Sequence, residues 1–187
     1  DILTSAIEKA KESKAELLLI RLNTPGGLLE ATREMIATIV ASPIPTVTYV
    51  TPSGGRAASA GFFLLQAADI AAMAPGTNTG AASPVLAGGE MEPTMRKKVE
   101  NDAAAQLRSL AAKRGRNAEL AEKTVREAVS FTEEEALRDN LIEFVAASES
   151  EILRKLNGYE VRRFDGSTTT LSLEDPEVEE YELSTKQ

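Results

Sequence analysis

The 187-residue chain sets 21 Lys and Arg against 29 Asp and Glu, a net charge of −8, with an apolar share of 42%. That balance suits one folded domain with a real core and leaves no basic stripe to neutralise phosphates, which argues against nucleic acid as a partner. The chain also has no His and no Cys, so neither a Ser-His-Asp nor a Cys-His site can be assembled, and zinc, haem and iron–sulfur centres lose their usual ligands.

In chain order, residues 1–11 place Ile2, Ala6, Ile7 and Ala10 at helical spacing, with Asp1 as a cap. Residues 16–22 form a short apolar run, read as a buried parallel strand, that ends at Asn23-Thr-Pro-Gly-Gly27. Helical spacing returns over 28–40 (Leu28, Met35, Ile36, Ile39) and closes at Pro43. A second apolar strand, 45–50, stops at Pro52-Ser-Gly-Gly55, and small residues around Ser59 lead into the apolar block Phe62-Phe-Leu-Leu65. With a short strand at 70–74, this alternation marks an α/β domain with a largely parallel sheet.

Residues 75–90 carry Gly76, Gly80, Gly88 and Gly89 and read as a long binding or closing loop. Helices are expected over 91–113 and 118–128, and Thr132-Glu-Glu-Glu135 has the spacing of a capping box that opens a third. A strand at 142–146 and a helix at 148–156 come next. Asp165-Gly166 between residues 160–164 and 168–173 signals a β-hairpin. The sequence divides into a domain over 1–173 and a tail over 174–187. Six acids between Glu174 and Glu182 read as a solvated linker. No apolar run reaches the roughly 18 residues of a membrane span, and a start at Asp1 without a leader reads as a soluble piece of a longer protein.

Ser59 sits in a strand-to-helix turn among Ala and Gly, where there is room for a substrate backbone beside free helix N-terminal amides. A small residue capping a packed turn is the ordinary alternative. If Ser59 is a nucleophile, its proton must go to a Lys, a carboxylate or a Tyr. The pairs Gly26-Gly27 and Gly54-Gly55 stand at the ends of two strands, where parallel sheets place their sites. The Gly26-Gly27 loop could aim one amide at an oxyanion, and the Ala60 amide could supply the second. Arg56 is near but stays protonated. On helical spacing Met91, Met95 and Val99 share a face that Lys98 borders, whereas Lys97 points away. A lysine serves as general base only when desolvation lowers its pKa by several units from about 10.4. Asp102 could pair with Lys98 and oppose that, and a basic helix face in water is the ordinary alternative for this segment.

Asn23-Thr-Pro-Gly-Gly27, Pro52-Ser-Gly-Gly-Arg-Ala-Ala-Ser-Ala-Gly61, Met73-Ala-Pro-Gly-Thr77, Arg108-Ser-Leu-Ala111 and Gly115-Arg-Asn117 resemble, in order, the NfeD family. These are membrane-bound serine proteases with a ClpP-like domain, some of which act on stomatin. The resemblance implies a ClpP/crotonase-like spiral of ββα units with a C-terminal β-hairpin. It also implies Ser59 as nucleophile, Lys98 as general base, and oxyanion or substrate contacts from Gly26, Gly27 and Ala60. No cofactor or metal is implied. The expected partners are a polypeptide with an apolar segment, stomatin-like proteins among them, and a second copy in a homodimer. The family's first strand, signal peptide, transmembrane helices and terminal OB-like domain have no counterpart in this sequence. Membrane association, with the protease domain extracytoplasmic, is therefore expected only through segments outside it. Two other classes remain: a crotonase-like acyl-CoA enzyme, in which Ser59 is dispensable, and a catalytically weak dimeric scaffold.

Overall fold

The computed structural model describes residues 2–27, 29–84 and 91–181. Asp1, Leu28, Gly88, Gly89 and Glu182, singled out above, lie outside them. Seven helices and nine strands are described: α1 (Ile2–Glu12), β1 (Leu18–Leu22), α2 (Leu29–Val40), β2 (Thr46–Val50), β3 (Arg56–Ala58), α3 (Ala60–Ala67), β4 (Ile70–Met73), β5 (Asn78–Gly80), α4 (Pro93–Lys113), α5 (Ala118–Arg126), β6 (Ser130–Thr132), α6 (Glu133–Arg138), β7 (Phe144–Val145), α7 (Glu149–Leu156), β8 (Glu160–Arg162) and β9 (Thr168–Thr170). None of the described helices is long and apolar enough to cross a membrane.

The main sheet has the order β1-β2-β4-β7 and is parallel throughout. Its register sets Leu22 beside Val50 and Val50 beside Met73, so the three strands end level. The loops that leave them therefore start from the same edge, the position from which such sheets build sites. Side chains alternate along β2 as a pleated strand requires. Val50 joins the core made with α2, α3 and α4, while Val47 and Tyr49 join a second core with Ile152, Leu156, Val161 and Leu171. The sheet is thus covered on both faces, which is why β2 is buried at every position.

A second sheet, β3-β5-β6, was not expected from the sequence. Two of its strands lie within the stretches read as the serine turn and the long loop: Arg56–Ala58 pairs in parallel with Asn78–Gly80, which pairs antiparallel with Ser130–Thr132. The first part of the 75–90 segment is therefore a turn and a strand rather than an open loop. The capping box stands as read, with the Thr132 amide donating to Glu135 (3.0 Å) and the Glu135 amide donating to the Thr132 hydroxyl (3.2 Å). So does the hairpin: Arg162 pairs with Thr168, and Gly166 takes φ +88° in its turn. The described tail, 174–181, has no regular structure, yet it is not wholly free. Glu180 pairs with Arg21 (2.8 Å), and the Tyr181 ring lies 5.6 Å from the Lys9 ammonium.

Candidate active site

Ser59 is the single residue between β3 and α3, and the chain reverses through it at φ 54°, ψ −115°. Few L-residues adopt that conformation, and it persists only where the surroundings impose it. The surroundings here are specific. The Ser59 amide donates to Gly80 O (2.9 Å), and the Phe62 amide donates to Ser59 O (3.0 Å). Thr24 pairs in parallel with Ala57: its amide donates to Arg56 O (2.8 Å) and its carbonyl accepts from the Ala58 amide (3.1 Å). The Asn23 side chain accepts from the Arg56 amide (3.2 Å). The loop after β1 is thereby stitched to the strand that carries the serine.

The glycines explain how closely the two segments meet. A Cβ on Gly61 would stand 2.7 Å from the Thr24 methyl and 3.2 Å from the Ala57 methyl. Gly26 takes φ +134°, and a Cβ there would stand 3.0 Å from Ser59 Cβ and 3.4 Å from its Oγ. The Thr24 hydroxyl fixes this loop by accepting from the Gly26 amide (3.1 Å) and donating to the Gly26 carbonyl (3.0 Å). Gly27, by contrast, borders open space. The structure thus brings Ser59, Gly26 and the start of α3 together. Ala60 opens α3, so its amide has no partner within the helix. Phe62, Phe63, Leu64 and Leu65 are all buried, which makes them core.

The lysine side differs from the expectation. Residues 93–98 of α4 are all exposed, and burial of that helix begins only at Ala103. Met95, expected on a buried face with Met91 and Val99, is 49% exposed, while Met91 and Val99 are half-buried. Lys97 and Lys98 are both exposed. Asp102 does not serve Lys98: it pairs with Arg33 of α2, the helix that comes after the Gly26-Gly27 loop. Lys98 and Asp102 are four residues apart and so share one side of α4.

One set of residues was not anticipated at all. α3 is buried along its whole length, and Arg114 and Arg116 grip its carbonyl end with Asp69 and Glu143 as counter-ions. An eight-residue apolar helix with no Gly or polar cap after it was the available sign that donors must arrive from elsewhere. Among the described residues no group of acids is arranged to hold a metal ion.

The family described as NfeD1b, N-terminal domain, matches residues 1–181. The chain belongs to that family. It is 38% identical over 172 residues to membrane-bound protease PH1510 of Pyrococcus horikoshii. That match takes in 90% of this chain and 39% of PH1510, so the chain spans about two-fifths of its relative's length. Over 81 residues it is 38% identical to membrane protein NfeD1b of Bacillus subtilis, 43% of this chain and 18% of that one. Among solved structures it superposes on the 1510-N membrane-bound stomatin-specific protease, a lysine-to-alanine mutant in complex with a substrate peptide. The TM-score is 0.90 at 36% identity, covering 98% of this chain and 85% of that one. The likeness to ClpP1 of Listeria monocytogenes (TM-score 0.63, 17% identity, 79% and 84% covered) shows a ClpP-like fold.

Proposed function

We propose that this domain is a serine endopeptidase using a Ser59–Lys98 dyad on apolar segments of polypeptides, stomatin-like proteins among them. The observation that carries the reading is the Ser59 turn, a strained serine at a helix start with Gly26 against its Cβ and Gly27 facing open space. Neutral Lys98 takes the hydroxyl proton as Ser59 Oγ attacks the scissile carbonyl. The Gly27 and Ala60 amides receive the oxyanion, and the protonated lysine then donates to the leaving amine. The dyad is supported by relatives solved with a serine or a lysine replaced by alanine, the latter holding a substrate peptide.

Lys98 is exposed in the chain alone, so the water around its amine must be displaced in the working complex. Bound substrate, or a second copy in a homodimer, supplies that cover. The same reading puts the domain beside a membrane, on its extracytoplasmic side.

A panel of apolar peptides, read by mass spectrometry, tests it. Ser59→Ala should lose at least about 1,000-fold in cleavage rate, and Lys98→Ala about 100- to 10,000-fold. Equal cleavage by both variants and the parent protein would sink the dyad.

A further inference from the structure

A helix leaves its last carbonyls without partners, and in α3 they are sealed from water. Four consecutive carbonyls at that end are met by two guanidiniums. Arg116 donates to Gln66 O (2.9 Å), Ala68 O (3.1 Å) and Asp69 O (3.4 Å). Arg114 donates twice to Ala67 O, at 3.1 and 2.5 Å. The side chains of Arg116 and Arg114 are 0% and 2% exposed. Glu143 balances Arg116 (2.6 Å), and Asp69 is shared between Arg114 (2.7 Å) and Arg163 (3.2 Å). Three cations thus face two anions, and the surplus positive charge sits at the negative pole of α3.

Stability alone is a poor reason for this arrangement. A left-handed Gly or Asn closes most helices, whereas burying guanidiniums often gains nothing over apolar packing. Ala68 leaves α3 in extended conformation, so no such local closure exists here. What the forks provide is a fixed axial position. α3 is a rod of eight residues, about 12 Å long, with Ser59 and the Ala60 amide at its far end. We propose that Arg114 and Arg116 are positioning residues for acylation, holding the carbonyl end of α3 so that the Ser59 turn stays at reacting distance from substrate. The proposal rests on Ser59 being the nucleophile.

The experiment compares Arg116→Gln, Arg116→Lys, Arg114→Lys and the double variant Arg116→Gln/Glu143→Gln. Each is read by melting temperature, kcat and KM on an apolar peptide, and the rate of fluorophosphonate labelling at Ser59. Leu156→Ala, in the second core, serves as a destabilised control. Arg116→Gln should lower kcat and the labelling rate at least about 10-fold, with KM within about 2-fold. In the double variant the orphaned Glu143 charge is gone, so melting temperature should recover while kcat stays low. Leu156→Ala should lose melting temperature but keep kcat wherever it is folded. If Arg116→Gln fails to fold, the two lysine variants, which keep charge but lose the fork, should show the same drop in kcat. Unchanged kcat in the arginine variants, or kcat recovering in step with melting temperature in the double variant, overturns the proposal. Absent labelling in the parent protein would fail one step earlier, removing the Ser59 reading and this proposal with it.

Discussion

α3 is buried from its first residue to its last, whereas α4 exposes its first turns and becomes buried only from Ala103 onward. Ser59, just before α3, and Lys98, on α4, are the two halves of the proposed dyad. On the serine side, a strained backbone is held by Gly80, Phe62 and Gly26 and by the Thr24 bridge beside it. On the lysine side, described contacts near Lys98 are surface ion pairs such as Asp102 with Arg33. In the proposed dyad the serine is therefore held in place by the fold, whereas the lysine stands on an exposed turn.

The sharpest way to break that contrast is Gly26→Ala. It forces a side chain into φ +134° and to within 3.0 Å of Ser59 Cβ. The labelling rate at Ser59 should fall about 100-fold, and a rate near that of the parent would show that the turn is not held as tightly as described. Hydrogen exchange gives the next test. Amides of residues 93–98 should exchange orders of magnitude faster than those of α3, and slow markedly once a peptide substrate is trapped on Ser59→Ala. Equal protection of the two helices in the free protein would erase the distinction.

Smaller effects are expected from the surface pairs that tether α4. Asp102→Asn should change stability by less than about 1 kcal/mol and leave cleavage almost untouched, since Asp102 pairs with Arg33 and not Lys98. A large rise or fall in kcat would mean that Asp102 acts on the base after all. Glu122, on α5, is held below the usual glutamate range first by its hydrogen bond from Arg108 and then by that from Arg126. A carboxyl depressed on folding contributes stability above its unfolded pKa and loses it as pH falls through the folded value. The melting-temperature difference between the parent and Glu122→Gln should therefore shrink below about pH 4.

The elements legible in the sequence were those with a local cause. Alternating apolar runs gave the parallel sheet, Thr132 with Glu135 gave the third late helix, and Asp165-Gly166 gave the hairpin. β3, β5 and β6 were not legible because three residues carry no periodicity, and their pairing is made by distant segments. The serine turn could be located from small residues at Ala57, Ser59 and Gly61, since the crowding they relieve is intrinsic to a sharp strand-to-helix reversal. The exposure of Met95 and Lys98 was not legible for the opposite reason. Helical spacing states which residues share a side, but not whether anything lies against it.

Gly80 lends its carbonyl to the Ser59 amide, and its own Cα is wedged so tightly that an added methyl would meet Val129 O at 2.5 Å. The Ser59 turn is consequently tied, through Gly80, to the segment between α5 and β6. Crowding at that remote seam would be felt as a misaimed hydroxyl, and so a lesion there would masquerade as a defect of chemistry.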